Sequence, residues 1–320
     1  MSQIDAGQGH LPVLLDEVIR YLEPQTGLFV DATVGLGGHS AAILSSSPHT
    51  QVIGIDQDGE ALLLAGQTLA SFGDRALLVK GNFSDIPKIV TDAGRGKPRG
   101  IIADLGVSSL QLDSKIRGFS FRFDSPLDMR MDAESGRPTA AELLATLDQE
   151  DLANIIYEFG EDRFSRRIAR RIIERREARE PILTTFDLAE LIRRAVPRGA
   201  KEKIHPATRT FQALRIAVNG ELDILDSFIS DCVDLLAENA RLVIITFHSL
   251  EDRVIKKAFQ RLSGKCECPT RIPQCMCGAK KRIEVLTRRP VVPGETEKSE
   301  NPRSRSAKLR ACRKLDQSSH

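Results

Sequence analysis

Residues 27–56 constrain this chain more than any other stretch. Gly27-Leu28-Phe29-Val30-Asp31 is a short apolar run with the character of a buried strand, and it leads directly into Ala32-Thr33-Val34-Gly35-Leu36-Gly37-Gly38-His39. Ser40-Ala41-Ala42-Ile43-Leu44 then reads as a helix, and residues 51–56 (QVIGID) as a second strand, ending on a carboxylate 21 residues beyond Gly35. A glycine cluster between a strand and a helix lets backbone N–H groups close on a ligand and aims the positive helix end at an anion. A tight turn is the plainer alternative. Asp56 argues against it, because the end of the second strand is where a carboxylate takes ribose hydroxyls. The pair implies a nucleoside-bearing cofactor. The dinucleotide fingerprint G-x-G-x-x-G needs glycine at position 40, where this chain has Ser40. That disfavours NAD and an oxidoreductase, and favours S-adenosylmethionine, whose carboxylate is a smaller anion than a pyrophosphate.

The alternation continues with helices at 13–22 and 60–69 and strands at 76–80 and 100–104, the last reading GIIAD. It stops at about 113. From there to 204 helical patterns dominate, at 139–147, 149–159, 162–179 and 186–196. The sheet pattern resumes with a helix at 206–228, a strand at 240–247, a helix at 249–262, and strands at 283–287 and 307–312. Strands alternating with helices imply a parallel sheet. The expected architecture is an α/β domain with an inserted all-helical domain. Its expected segments are 1–112 and 206–320 for the α/β domain and 113–205 for the insertion. A length of 320 residues suits two such domains.

Composition narrows the setting. Hydrophobic residues make up 41% and charged residues 28%, a balance typical of a soluble globular protein. No apolar run approaches the ~20 residues a membrane span requires. Residues 1–10 carry neither the basic start nor the apolar stretch of a signal peptide, so a cytoplasmic location with no membrane contact is expected. Residues 265–320 hold 14 Lys and Arg against 6 Asp and Glu, while residues 1–264 hold 32 against 38. A basic tail on a mildly acidic body points to a polyanion, with simple solubility as the commoner explanation. Within 162–179, helical periodicity puts Phe164, Ile168, Ala169, Ile172 and Ile173 on one half and Arg163, Arg166, Arg167, Arg170 and Arg171 on the other. The arginine half suits phosphates, or a solvated face paired with Glu161, Asp162 and Glu174. Cys266-x-Cys268 and Cys275-x-Cys277 offer four thiolates, but their spacing departs from the usual C-x2-C knuckle, and no metal is expected.

Three further positions carry chemistry. Phe83, just past the third strand, is placed to stack on an adenine or simply to fill the core. Asp104 ends the fourth strand, where open α/β sheets build their sites. Gln111 follows seven residues later. His248 comes after the fifth strand, next to Ser249-Leu250-Glu251-Asp252, which has the form of a capping box with Ser249 as N-cap and Asp252 at N3.

Several blocks together resemble one family. They are Gly9-His10-Leu11-Pro12-Val13-Leu14-Leu15, Val34-Gly35-Leu36-Gly37-Gly38-His39-Ser40, Asp104-Leu105-Gly106-Val107-Ser108-Ser109, Pro126-Leu127-Asp128-Met129-Arg130-Met131-Asp132, His205-Pro206-Ala207-Thr208-Arg209-Thr210-Phe211-Gln212-Ala213 and Phe247-His248-Ser249-Leu250-Glu251-Asp252-Arg253. The resemblance is to the bacterial 16S rRNA (cytosine-N4) methyltransferases of the RsmH or MraW type, and it runs from residue 9 to about 310. It implies S-adenosylmethionine as methyl donor and a cytosine N4 in the decoding region of 16S rRNA, within the small ribosomal subunit, as acceptor. It also implies a Rossmann-like class I S-adenosylmethionine-dependent methyltransferase fold for the α/β domain, cofactor contacts at Gly37, Gly38, His39, Asp56, Phe83, Asp104 and Gln111, and a helical substrate domain. The Asn/Asp-Pro-Pro-Tyr motif of many amino-methyltransferases is absent, so Asp104, Ser108, Ser109 and His248 are the catalytic candidates. Arg163, Arg166, Arg167, Arg170 and Arg209 are the candidates for RNA contact.

Overall fold

The structure, a computed structural model, describes residues 12–106, 108, 111–112, 115–197, 205–266, 268, 276 and 279–316. The chain divides into two compact units, one formed by Met1–Gly106 with Ile224–His320 and the other by Val107–Asp223.

The first unit is built on a seven-stranded sheet. Its strands are β1 (Gly27–Asp31), β2 (Thr50–Asp56), β3 (Ala76–Lys80), β4 (Gly100–Asp104), β5 (Arg241–Thr246), β6 (Ile283–Val285) and β7 (Lys308–Lys314), in the order β3-β2-β1-β4-β5-β7-β6. β1 to β5 pair in parallel, while β7 runs antiparallel to both of its neighbours. The central strands are apolar on both faces because helices cover both sides, as a parallel sheet requires. Phe29, Val52, Ile102, Val243 and Leu309 all lie in one core with Ile43 and Leu44 of the helix Gly38–Ser46.

The N-terminal segment is seated by a close approach. A Cβ on Gly38 would lie 2.4 Å from Pro12 Cγ, so glycine is what allows Pro12 to pack on the start of that helix. Gly37, its N-cap, has φ 85°, which favours glycine.

Arg310 on β7 is buried and forms a two-point ion pair with Asp252, at 2.6 Å and 3.2 Å, on the helix Ser249–Leu262. The pair ties the antiparallel end of the sheet to the helix that follows β5.

The second unit is helical, comprising Ala140–Thr146, Gln149–Gly160, Ser165–Glu177, Thr185–Ala195 and Ala207–Asn219, with a short antiparallel bridge between Pro126 and Thr184. Its core includes Met129, Leu144, Ile156, Ile168, Ile172, Leu188, Ile192, Phe211 and Leu214. The helix expected at 206–228 is two helices, Ala207–Asn219 and Leu225–Leu235, separated at Gly220, where φ is 63°. The first of these belongs to the helical unit, because Ala207, Phe211, Leu214 and Val218 complete its core. That unit therefore ends at Asp223, whereas sequence periodicity placed its end at 205. Among the described residues no helix is long and apolar enough to cross a membrane.

Asp252→Ala leaves the Arg310 guanidinium buried without its carboxylate and is expected to cost about 3–5 kcal/mol in a urea unfolding titration. Asp252→Leu combined with Arg310→Met should recover most of that loss. A loss below ~1 kcal/mol for the single variant contradicts the assignment of the pair as a buried anchor.

Candidate functional site

The site grows from the carboxyl ends of β2, β1 and β4, which are adjacent in the sheet and end on Asp56, Asp31 and Asp104. Asp56 organises the glycine turn. Its Oδ2 accepts the Gly35 N–H at 2.9 Å and its Oδ1 accepts the Asp58 N–H at 2.9 Å, so one carboxylate pins the loops after β1 and β2 together. The turn is held further by Val34 N–H to Ile55 O at 2.8 Å and Gly37 N–H to Val34 O at 2.7 Å. Thr33 then ties it to β4, its Oγ1 accepting the Asp104 N–H at 2.7 Å.

Asp31, which sequence reasoning did not single out as a site residue, is fully enclosed. The Ser40 hydroxyl donates to its Oδ2 at 2.7 Å and the Thr33 N–H to its Oδ1 at 3.3 Å. Ser40 is the residue that breaks the dinucleotide fingerprint, and a glycine there would remove this bond. A signal for Asp31 was present in the sequence: GLFVD, QVIGID and GIIAD are three apolar strands that each end on aspartate.

Burial dominates the electrostatics of the three carboxyls. It lifts Asp31 to about 6 against the lowering effect of Ser40 and Thr33. It lifts Asp56 to about 6, opposed by the N–H groups of Asp58 and Gly35 and reinforced by the charges of Asp58 and Asp31. Asp104 is raised well above the usual carboxylate range by burial, then by the charges of Asp31 and Glu251. Its Oδ1 is sealed from solvent and has no hydrogen-bond partner among the described residues. Three neighbouring acids that resist ionisation, one with an unused oxygen, form a socket that a cation and hydroxyl donors would complete.

His39 lies in the first turn of the helix Gly38–Ser46, with Nε2 3.0 Å from Val13 O. A carbonyl oxygen can only accept, so Nε2 carries the proton. Burial lowers the imidazole to about 4, opposed by the Val13 bond, and it is neutral at physiological pH. Phe83 follows β3, half-buried, with its ring edge-on to Phe228 at 5.0 Å. Gly81 N–H donates to Asp56 O at 3.0 Å, which places the Phe83 turn beside Asp56.

The structure corrects the capping register after β5. His248, not Ser249, is the N-cap of the helix Ser249–Leu262, and Glu251, not Asp252, sits at N3. His248 Nδ1 accepts the Glu251 N–H at 3.4 Å, and Glu251 Oε2 accepts the Phe247 and His248 N–H groups at 3.0 Å and 3.3 Å. Imidazole rarely caps helices, whereas serine commonly does, and pattern reading prefers the hydroxyl. His248 Nε2 lies 3.1 Å from Glu251 Oε1. With Nδ1 already accepting, the lone pair a general base would use is occupied, which argues for a positioning role.

In the second unit, Ser108 N–H donates to Gln111 Oε1 at 3.1 Å while Gln111 N–H donates to Ser108 Oγ at 3.2 Å. Ser109 lies outside the described residues, as do Cys275 and Cys277. Cys268 N–H donates to Cys266 Sγ at 3.4 Å. On the helix Ser165–Glu177 the apolar stripe Ile168, Ala169 and Ile172 is buried, and Arg166, Arg167, Arg170 and Arg171 are exposed. Glu174 takes Arg171 at 2.7 Å and Arg170 at 3.7 Å, whereas Arg166 and Arg167 have no ion-pair partner among the described residues. Arg163 stacks on Phe164 at 4.7 Å, and Arg209 donates to Glu161 O at 3.4 Å.

Strand order β3-β2-β1-β4-β5-β7-β6 with an antiparallel β7, together with the glycine turn after β1, defines a class I methyltransferase fold. The chain belongs to the MraW methylase family, whose pattern matches residues 7–315. It is 52% identical over 309 residues to the ribosomal RNA small subunit methyltransferase H of Geotalea daltonii, covering 96% of this chain and 98% of that one. It is 50% identical over 309 residues to the protein of the same name from Syntrophotalea carbinolica, again covering 96% and 98%.

Because the folded pKa of Asp31 exceeds its unfolded value, the folded state holds the extra proton between pH 4 and 6. Stability from this group therefore falls as pH rises through that window, by about 3 kcal/mol in total. His39, with a lowered pKa, acts in the opposite sense between about 4 and 6.5. Asp31→Asn is expected to remove close to one proton from the slope of unfolding free energy against pH between 4 and 6, measured by urea titration. An unchanged slope contradicts the placement of a protonated carboxyl there.

Proposed function

We propose that the chain transfers a methyl group from S-adenosylmethionine to N4 of a cytosine in the decoding region of 16S rRNA, acting in the cytoplasm on the small ribosomal subunit. The observation that carries this reading is the row of three carboxyls at the ends of adjacent strands, Asp31 buried and Asp56 and Asp104 half-buried, with the Asp104 Oδ1 sealed from solvent and left unpartnered among the described residues. When bound, the cofactor supplies an electrophilic methyl on a sulfonium cation. Its positive charge and ribose hydroxyls match what the carboxyls lack. In this reading Asp56 takes the ribose, Phe83 the adenine, and Gly37, Gly38 and His39 the methionine end, with Gln111 a further contact by resemblance. Membership of the MraW methylase family and the names of the relatives support small-subunit rRNA as the substrate.

The cytosine amine is a weak nucleophile because its lone pair is delocalised into the ring. An acceptor must take one of its N–H groups and receive the proton as the new bond forms. Asp104 fits that role. Burial opposes ionisation of its carboxyl in the free protein, and a neighbouring cation favours the carboxylate, so the acceptor gains competence when the donor is in place. His248 shapes the turn after β5, and Ser108 shapes the turn that carries Gln111, with Ser109 next to it in sequence. The nucleotide must leave its stack to reach this depth. Arg163, Arg166, Arg167, Arg170 and Arg209 supply cations for the flanking phosphates.

The decisive assay is transfer of labelled methyl to small subunits lacking the modification, beside protein-free 16S rRNA, followed by nucleoside analysis. N4-methylcytidine is expected, and a different methylated nucleoside overturns the acceptor assignment. Asp104→Asn should lower kcat by about a hundredfold or more. Full turnover with normal cofactor affinity would remove Asp104 from the mechanism. Replacing Arg166, Arg167 and Arg170 with Glu should weaken RNA binding and flatten its salt dependence by about one unit for each phosphate no longer neutralised, leaving cofactor affinity unchanged. Unaltered RNA affinity contradicts the phosphate assignment.

A further inference from the structure

We infer that Phe123 and Phe186 form a stacking platform for unpaired RNA bases on the helical unit. The inference deepens the functional proposal and rests on its reading of the substrate as RNA. Two segments of that unit are stitched together by short bonds. Pro126 and Thr184 form an antiparallel bridge, and Thr185 N–H donates to Ser125 O at 2.9 Å. Thr185 Oγ1 donates to Phe123 O at 2.7 Å, and Phe186 N–H donates to Asp124 Oδ1 at 3.4 Å. The backbones of Phe123 and Phe186 are thereby fixed side by side, yet the two residues remain 38% and 48% exposed.

Leaving phenylalanine partly in water forgoes some of the stabilisation that full burial in the core would supply. Ile116, 73% exposed, and Leu183, 56% exposed, extend the apolar surface on the same two segments. A grouped apolar surface of this kind marks an interaction site more often than scattered exposure does.

Charge identifies the occupant. The Lys115 ammonium lies 5.3 Å from the centre of the Phe123 ring, and neither Lys115 nor Arg122 has a carboxylate partner among the described residues. The Lys115 ammonium over the Phe123 ring, with Arg122 next to Phe123 in sequence, suits a ligand with flat aromatic faces and a negative backbone, which is an unstacked nucleotide strand. A purely apolar protein surface would leave both cations to be desolvated without compensation. Position agrees. Phe186 stands in the first turn of the helix Thr185–Ala195, whose Asp187 meets Arg175 at 3.5 Å on the helix that also exposes Arg166 and Arg167. Arg167 lies eight residues before Arg175, about 12 Å along the helix axis and within about a quarter turn of it, so a short single strand that covers the rings can also reach Arg167.

The test uses the full chain and a fluorescein-labelled oligocytidylate about twelve nucleotides long, within the span that single-strand binding surfaces cover, with affinity read by anisotropy at low and high salt. Phe123→Leu with Phe186→Leu keeps apolar area but removes the π faces. It is expected to weaken binding about tenfold or more while leaving the salt slope unchanged. Phe123→Tyr with Phe186→Tyr should stay within about twofold of the parent, since tyrosine also stacks. Unchanged affinity in the leucine variant with an unchanged melting temperature overturns the platform. So does an equal loss against the oligocytidylate paired with oligoguanylate, whose bases are already stacked. A shift in association state by sedimentation velocity, with RNA affinity unaltered, reassigns the patch to protein contact and also overturns it. Methyl transfer by the parent chain to small subunits is measured alongside. Transfer intact with unchanged variant affinity defeats the platform alone, whereas no transfer and no oligocytidylate binding by the parent defeats the RNA reading beneath it.

Discussion

The hydrogen bonds that Asp56 makes to Gly35 and Asp58 hold the architecture of the site together. A single carboxylate at the end of β2 fixes the glycine turn after β1 and the start of the helix behind β2. Around it the other contacts fall into place. Thr33 accepts from the Asp104 backbone, Ser40 donates to Asp31, and the Phe83 turn is tied to Asp56 through Gly81. Without Asp56 the turn would lose the acceptor that fills its concave side, and the N–H of Gly35 would need another partner.

The arrangement is costly before a ligand arrives. Asp31, Asp56 and Asp104 all have their ionisation opposed by burial, and the charge of Asp31 adds to the cost of ionising both of the others. A fold can keep such groups because the rest of the unit is well packed, with both faces of the central strands covered and the Arg310–Asp252 pair closing the antiparallel end. Under the proposed function, a cation placed among the carboxyls would lower all three pKa values at once, so affinity for a positively charged donor and readiness of Asp104 as a proton acceptor would arise from the same electrostatic cause.

Much of this was legible in the sequence, for physical reasons that also mark where reading failed. Strand ends were visible because buried parallel strands are unbroken apolar runs, and the arginine face of 165–177 was visible because helical period is local. Asp31 was missed as a site residue although it ends a strand as Asp56 and Asp104 do, because the glycines beside it are the stronger local signal. The break at Gly220 was hidden inside a continuous amphipathic pattern, and assigning Ala207–Asn219 to the helical unit depends on contacts with distant helices. His248 as a cap, and the Val13 bond that keeps His39 in one tautomer, depend on geometry between segments that sequence spacing does not encode. The exposure of Phe123 and Phe186 is likewise a property of the folded surface, since either residue reads as core in a linear scan.

The central claim is that three proton-holding carboxyls form the socket for a cationic methyl donor. Calorimetric titration of S-adenosylmethionine into the protein, repeated in buffers of differing ionisation enthalpy, counts the protons exchanged on binding. At a pH just below 6, where Asp31 and Asp56 are still partly protonated, the account predicts release of about one proton or more, with the share from these two carboxyls fading as the pH rises past 7. Binding with no proton exchange at either pH would contradict it, since the carboxyls would then be indifferent to the charge placed among them.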